Sequence, residues 1–325
     1  MPIHDAIASR FPLLDGISSF DDVRSDPEKL RRFQAFGAMG TTPTATLHIE
    51  QAQAPGPHGP VPVRIYRPEA GDATRPALVW LHGGAFLGGD LEMPEADWVA
   101  REIADRADAV VVSVDYRLAV GDVVYPVPHD DAVAAVRWVR DHADELGVDP
   151  ARISLGGASA GGNLAAGAAL KLRDTDHWVP ATLLLAYATV HAVLPPPSAG
   201  LSERMTEVPR VLRFLPADRE FITRNYLGGP ESGADGYAMP ANAVVDGLCP
   251  VLLVNAEYDD LRVSSEAFAA QLATAGVDVR QVMAPGMLHG FLNLTSDLPP
   301  VDRALALLAD VVATAGVTSP ALVSA

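Results

Sequence analysis

The stretch that decides the fold is Ile153–Leu170, which reads ISLGGASAGGNLAAGAAL. It begins with a short apolar run typical of a buried strand and ends in small and apolar residues typical of a helix. Between them lies the pattern G-x-S-x-G, with Ser159 at the tip of the predicted turn. A serine in such a sharp turn takes strained backbone geometry, so its neighbours two positions away must be nearly free of side chain. Gly157 and Gly161 meet that need, and we therefore predict a nucleophile elbow at Ser159.

The pentapeptide alone fits a small-residue turn equally well, so the prediction depends on further motifs elsewhere in the chain. The segment His82–Ala85 (HGGA) follows an apolar run of strand length, and Asp259 and His289 each follow another such run. Serine, then acid, then histidine is the chain order of α/β hydrolases, with each group at the end of a strand. The three runs are Pro76–Leu81, Pro250–Ala256 and Val279–Met283.

With these motifs the chain resembles the hormone-sensitive-lipase-like bacterial carboxylesterase family of the α/β-hydrolase superfamily. The resemblance runs from about residue 60 to about residue 310. Three positions depart from the family pattern: Ala85 stands for a third glycine, Ala158 for Asp or Thr, and Asp260 for a frequent proline. The matching segments are His82–Gly84, Asp115–Ala119, Gly157–Ala165, Asp259–Arg262 and His289–Phe291.

Strand-like and helix-like segments alternate through most of the chain, which predicts a mostly parallel sheet with helices on both faces. The resemblance implies an eight-stranded α/β-hydrolase sheet under a helical cap, in one structural domain. The core is then residues 46–187 and 246–325, and the inserted residues 188–245 form the second part of the cap. Residues 1–45 form its first part or, alternatively, an ordinary packing arm. A helix is expected from about Asp130 to Leu146, with Asp130 and Asp131 as its caps.

The predicted chemistry is nucleophilic catalysis by a triad. Ser159 attacks an ester carbonyl, His289 takes its proton, and Asp259 orients the imidazole. Glu257 and Asp260 compete with Asp259 as the acid. The negative oxygen that develops needs N–H donors: the residue after the nucleophile, Ala160, gives one, and the resemblance adds the loop Gly83, Gly84 and Ala85.

Other residues are expected to bind substrate or to support the loops. His82 is expected to hold the oxyanion loop by hydrogen bonds, and Asp115, Tyr116 and Arg117 to form a buried polar cluster. Apolar residues of the insertion either line the acyl or alcohol pocket or pack the cap onto the core. The substrate-binding candidates are Phe86, Met205, Phe214, Leu215, Leu288 and Phe291. Surface or packing positions are expected for His4, His48, His58, His129, His142, His177 and His191.

Composition narrows the class of protein. The 325 residues are 49% hydrophobic and 20% charged, which suits one large core. A net charge of −17 argues against nucleic acid or an anionic membrane as partner. The single cysteine, Cys249, is expected to be a buried reduced thiol. The first residues lack a secretory pattern, no apolar run approaches 18 residues, and we expect a cytoplasmic location.

The motifs favour a serine carboxylesterase without metal or cofactor. The resemblance to the family, with the absence of a lipid-binding segment, implies short acyl esters, from acetyl to about hexanoyl. An amide hydrolase with the same triad is the first alternative. The second is a non-catalytic small-molecule receptor, because the fold has been reused for sensing in forms that lose the histidine. His289 and Ser159 are both present, which argues against a receptor. The expected partner is a small ester, and the resemblance leaves a homodimer open.

Overall fold

A mixed sheet runs through the centre of the molecule. The structure, a computed structural model, describes residues 1–69 and 74–316; residues 70–73 and 317–325 of the predicted core lie outside this description. Its strands are β1 Leu47–Ala54, β2 Val61–Pro68, β3 Arg75–Leu81, β4 Val110–Val114, β5 Val148–Ala158, β6 Leu183–Ala186, β7 Val251–Tyr258 and β8 Val279–Leu288.

The eight strands of the described residues pair in the order β1-β2-β4-β3-β5-β6-β7-β8. The β1–β2 and β2–β4 pairs are antiparallel, and every later pair in this order is parallel. The carboxyl ends of the parallel strands therefore meet along one edge, where the loops that follow β3, β5, β7 and β8 come together. This confirms the predicted eight-stranded, mostly parallel sheet.

Helices cover both faces of the sheet, as predicted. Side chains of β3 alternate between two cores: Val79 packs towards α5 and α7 on one face, and Trp80 towards α4 and α11 on the other. Burying one large apolar side chain contributes about 1.5–3 kcal/mol to folding, so these two layers hold the strand ends in place. The helices are α1 Asp5–Ala8, α2 Phe20–Ser25, α3 Pro27–Gly37, α4 Pro94–Ala107, α5 Val127–Asp141, α6 Ala143–Leu146, α7 Ala160–Asp176, α8 Ala199–Arg204, α9 Pro216–Leu227, α10 Arg262–Thr274 and α11 Pro299–Thr314.

The helix predicted from Asp130 to Leu146 begins earlier and is interrupted. α5 starts at Val127 with Pro128 in its first turn, a position that proline tolerates well, and it ends at Asp141 before the short α6. The N-cap residue is Pro126, so the prediction that Asp130 and Asp131 cap this helix is wrong. Both lie inside the helix, where their carboxylates bind other side chains.

The two segments assigned to the cap touch each other. Val211 of the insertion is buried in one small cluster with Leu14, Ile17 and Val23 of the N-terminal segment. Ile7 of α1 packs into the main core instead. The boundaries proposed for the cap remain a prediction, and this shared cluster is the contact that supports it. No helix in the described part of the chain is both long and apolar enough to cross a membrane.

Candidate active site

Ser159 lies at the turn between β5 and α7. Its φ is 52°, a left-handed value that is strained for any residue with a side chain. The turn is so tight that a Cβ on Gly157 would lie 2.4 Å from the backbone of Gly161. A Cβ on Gly161 would lie 2.1 Å from the carbonyl oxygen of Leu81. Both glycines are therefore required, and the turn holds the serine hydroxyl at the carboxyl edge of the sheet.

Ser159, His289 and Asp259 form one chain of hydrogen bonds. The imidazole Nε2 of His289 lies 2.9 Å from the Ser159 Oγ. Its Nδ1 lies 2.8 Å from the Oδ2 of Asp259, which is 1% exposed. The other oxygen of Asp259 accepts a hydrogen bond of 2.8 Å from the Leu261 N–H. The carboxylate is thus fixed on both sides, and the structure brings the three predicted residues together.

The two competing acids have other partners. Glu257 accepts hydrogen bonds from the amino terminus of Met1, from Arg204 and from the Gly286 N–H. Asp260 binds the guanidinium of Arg213 and accepts a bond of 2.9 Å from the Phe214 N–H. Neither carboxylate hydrogen-bonds His289 within the described residues.

Electrostatics around His289 favour its charged form. Burial opposes charging of the imidazole. The charge and hydrogen bond of Asp259, together with the charges of Glu95 and Asp260, outweigh burial, so the pKa of His289 lies above its ordinary value. His289 is also enclosed edge-on by the rings of Tyr187 and Phe214, at centroid distances of 5.0 and 4.8 Å. An imidazole so held can accept a proton from Ser159, because its charged form is stabilised.

The loop after β3 turns back on itself beside Ser159. Gly84, Ala85 and Phe86 all have positive φ, of 118°, 57° and 62°. A Cβ on Gly84 would lie 1.9 Å from the carbonyl oxygen of Gly88, so this tight turn requires glycine. Within residues 1–69 and 74–316, the N–H groups of Gly84, Ala85 and Ala160 have no hydrogen-bond acceptor. Because Ala160 opens α7, its N–H has no partner inside the helix.

Gly83 is a different case, and its assignment to the oxyanion hole is wrong. Its N–H donates to the Oε1 of Glu95 at 2.5 Å, so it is already used. Glu95 is only 2% exposed, and its Oε2 accepts hydrogen bonds from the Tyr187 hydroxyl and the Asn293 amide. This one carboxylate therefore joins the loop after β3 to the loop that carries His289. Sequence reasoning missed it, because Pro94-Glu95 is typical of any first helical turn.

Of the predicted supporting residues, Tyr116 contacts the loop after β3, whereas Arg117 binds Asp131. The Tyr116 hydroxyl donates to the His82 carbonyl oxygen at 2.7 Å, and the two rings stack at 4.5 Å. The N–H and the guanidinium of Arg117 both donate to Asp131, at 2.9 and 2.6 Å. Burial raises the pKa of Asp131, which is fully enclosed. Burial also raises the pKa of Asp115.

Ser159 opens onto a cavity of about 460 Å³, its open mouth included. Two of the predicted substrate-binding residues, Phe86 and Phe214, line it. The ring of Phe86 stacks on Tyr226 at 3.9 Å, so this wall is rigid. The other lining residues are Ala85, Thr189, His191, Ala192, Leu194, Arg219, Ile222, Thr223, Met239 and Leu261.

Four predicted substrate-binding residues do not line this cavity. Met205 and Leu288 are buried in the core on one face of the sheet, and Phe291 packs edge-on against Tyr187. Leu215 is the N-cap residue of α9 and precedes the helix face that does reach the cavity. That face carries Arg219, Ile222 and Thr223, which helical spacing could have revealed once the start of α9 was known. His191, expected at the surface or in packing, also lines the cavity.

Among the described residues, no group of three or more His, Cys, Asp or Glu side chains could hold a metal ion. Cys249 is buried, and burial raises the pKa of its thiol to about 12. It does not line the cavity beside Ser159.

Known proteins are similar to this chain in sequence and in architecture. A family described by the alpha/beta hydrolase fold matches residues 78–293. Carboxylesterase NlhH of Mycobacterium tuberculosis is 37% identical over 256 residues, 75% of each chain. Carboxylic ester hydrolase LipN of the same organism is 34% identical over 297 residues, which are 88% of this chain and 74% of that protein. The solved structure of a hyperthermophilic esterase from Pyrobaculum calidifontis superposes with a TM-score of 0.82 at 33% identity, covering 97% of this chain and 99% of that one.

The fold, the strand-end site and the family match define the class: this chain belongs to the α/β hydrolase family. Its similarity to NlhH and LipN places it among the hormone-sensitive-lipase-like members, which confirms the predicted resemblance. It is an enzyme, a carboxylic ester hydrolase.

Proposed function

We propose that this enzyme hydrolyses short-chain acyl esters through an acyl-enzyme intermediate on Ser159. The observation that supports this most directly is the 2.9 Å contact between the Ser159 Oγ and the His289 Nε2. A serine hydroxyl is a weak nucleophile until an adjacent base accepts its proton. The Asp259 carboxylate on the opposite ring nitrogen stabilises the imidazolium that then forms.

The reaction has two halves. In the first, the Ser159 Oγ attacks the ester carbonyl carbon as its proton passes to the His289 Nε2. The tetrahedral intermediate collapses, and the same nitrogen gives the proton to the leaving alcohol oxygen. In the second, His289 takes a proton from water, the hydroxide oxygen attacks the acyl carbon, and the acid leaves as Ser159 recovers its proton.

Both tetrahedral intermediates place negative charge on the former carbonyl oxygen. The N–H groups of Gly84, Ala85 and Ala160 are the donors for it, because each has no acceptor among the described residues and Ala85 lines the cavity with Ser159. Removing one such donor typically costs on the order of 100- to 1,000-fold in kcat.

The cavity supports the preference for short chains. Its volume of about 460 Å³ includes the open mouth, and the rings of Phe86 and Phe214 form two of its walls. Bulky side chains beside Ser159 leave limited room for a long acyl chain, so the acyl group of the proposed substrate extends to about hexanoyl. Amide hydrolysis with the same triad is the second candidate, and it requires protonation of a leaving nitrogen by His289.

A series of p-nitrophenyl esters from acetyl to palmitoyl, beside p-nitroacetanilide, tests the proposal. We expect turnover to peak at or below hexanoyl, and Ser159→Ala to lower kcat on the order of 10⁶-fold. Ser202→Ala, an exposed serine of α8, is the matched control and should keep wild-type turnover.

Each failure has a separate meaning. Rates that rise steadily to palmitoyl would overturn the chain-length preference. Faster cleavage of the anilide than of the ester would favour an amidase. A wild type without turnover, or a Ser159→Ala variant as active as wild type, would overturn the serine mechanism and reopen the receptor alternative.

A further inference from the structure

One arginine lines the cavity beside the nucleophile. Arg219 lies on α9 and is only partly exposed. The other described lining residues are mostly apolar and include no Asp or Glu. His191 lines the cavity too, but burial lowers the pKa of its imidazole, which favours the neutral ring at neutral pH. Arg219 is therefore the fixed positive charge of this cavity.

The neighbouring arginines have carboxylate partners, and Arg219 does not. Five arginines lie between residues 204 and 224. Although Asp218 and Glu220 flank Arg219 in sequence, each binds another arginine, and within residues 1–69 and 74–316 the Arg219 guanidinium has no hydrogen-bond or ion-pair partner. The four ion pairs are Arg204–Glu257, Arg210–Asp218, Arg213–Asp260 and Arg224–Glu220.

This arrangement is unusual for the protein. Two other arginines of the described residues, Arg280 and Arg303, also lack a partner, and both are exposed to water. Arg219 is the partly buried one. Placing a charge in a mostly apolar site is unfavourable unless a partner compensates it. The chain has 41 acidic residues against 24 basic ones, yet none of the described acidic side chains pairs with Arg219.

A ligand can supply the missing partner. A guanidinium presents N–H groups in a planar fork that matches the two oxygens of a carboxylate. The net charge of −17 does not prevent this, because exposed charges are screened beyond about 8 Å at physiological ionic strength, whereas contacts inside a cavity are screened much less. We propose that the preferred substrate is a short ester that also bears a carboxylate, which Arg219 binds. This proposal rests on the ester hydrolysis proposed above.

Two pairs of esters test it, each comparing a carboxylate with its neutral carboxamide. Monomethyl adipate and methyl adipamate place the group on the acyl side; 4-acetoxybenzoate and 4-acetoxybenzamide place it on the alcohol side. We expect wild type to prefer the carboxylate in one pair by about 10- to 100-fold in kcat/KM, mainly through KM, since a hydrogen bond to a charged group is strong.

Variants separate the charge from the shape of the site. Arg219→Gln should bring the carboxylate-to-carboxamide ratio close to one, and Arg219→Lys should keep part of it because the charge remains. Arg224→Gln, on the same helix but paired with Glu220 outside the cavity, is the matched control and should keep the full ratio. Thermal unfolding of each variant verifies that it is folded.

The outcomes distinguish this proposal from the one it rests on. If the carboxamides are hydrolysed in a Ser159-dependent way but neither pair shows a carboxylate preference, the role of Arg219 is overturned and ester hydrolysis stands. An Arg219→Gln variant that keeps the wild-type ratio would overturn that role as well. If no member of either pair is hydrolysed, both proposals fail.

Discussion

Glu95 offers a direct way to test how the loop that carries the proposed oxyanion donors Gly84 and Ala85 is held. Its buried carboxylate accepts three hydrogen bonds, one from the Gly83 N–H on Oε1 and two, from Tyr187 and Asn293, on Oε2. In Glu95→Gln one of these oxygens becomes an NH₂ group, which cannot accept. At least one of the three donors therefore loses its acceptor or must turn away.

The expected size of the effect follows from that count. A buried donor without an acceptor costs about 1–3 kcal/mol, so the free energy of unfolding should fall by about that amount in Glu95→Gln. If the amide nitrogen faces Gly83, the loop that carries Gly84 and Ala85 shifts. We expect kcat to fall by about 10- to 100-fold, less than the loss of a complete oxyanion donor.

The pH profile separates positioning from plain destabilisation. In the proposed mechanism His289 acts as base only when neutral, so kcat/KM should fall as the pH drops through its pKa, which lies above the ordinary 6.5. The charge of Glu95 contributes to that rise. Removing it disfavours the imidazolium, so the acid limb of Glu95→Gln should move to lower pH.

The matched control is Glu92→Gln, since Glu92 is exposed and its carboxylate binds only Arg64 among the described side chains. It should leave kcat, the acid limb and the stability as in wild type. Should Glu95→Gln itself keep the wild-type kcat and acid limb, Glu95 would be a packing residue and the account of the loop would be wrong.

Three further changes have expected outcomes. Asp259→Asn should lower kcat about 10⁴-fold and move the acid limb to lower pH, since the Asp259 charge that raises the pKa of His289 is lost. A loss of under tenfold, or an equal loss in Asp260→Asn, would refute the assignment. Ala85→Gly removes a methyl group that lines the cavity, so the kcat/KM of branched-alcohol esters, relative to that of ethyl acetate, should rise about tenfold. An unchanged ratio would mean that this methyl group does not limit the size of the alcohol. Iodoacetamide at pH 7.5 should leave the folded enzyme active, because burial raises the pKa of the Cys249 thiol to about 12. Rapid inactivation of wild type but not of Cys249→Ala would instead show that this thiol is accessible.

The parts of the site that follow from local sequence could be predicted. The elbow at Ser159 needs glycines two residues away on each side, and steric demands of that kind are visible in a pentapeptide. Apolar runs followed by His82, Asp259 and His289 give strand ends, and parallel strands bring their carboxyl ends to one edge. The structure confirms the eight-stranded sheet, and the comparisons confirm the family.

The parts that depend on long-range contacts could not be predicted. Glu95 lies on α4 and meets Gly83, Tyr187 and Asn293 only after folding, so no spacing in the sequence reveals it. The same contact makes the Gly83 prediction wrong, because its N–H is taken by a residue from a different element.

The sequence also did not reveal which residues of the insertion line the cavity. Met205 and Phe214 are both apolar residues of the insertion, yet Met205 packs into the core and Phe214 faces the cavity. Which of two such side chains turns inward depends on how short helices join, and the insertion contains several of them. The sequence analysis considered only apolar residues of the insertion as lining candidates, so it missed Arg219, whose helical spacing becomes informative only once the start of α9 is known.

The central claim is that Ser159 is the nucleophile, and covalent labelling tests it most directly. The enzyme is treated with diethyl p-nitrophenyl phosphate, which phosphorylates an activated serine and releases p-nitrophenol, and the adduct is located by peptide mass spectrometry. The account predicts one diethylphosphoryl group per chain, on Ser159, formed in step with the loss of esterase activity. Full inactivation with the adduct on another residue, or esterase activity that persists with Ser159 fully labelled, would contradict it.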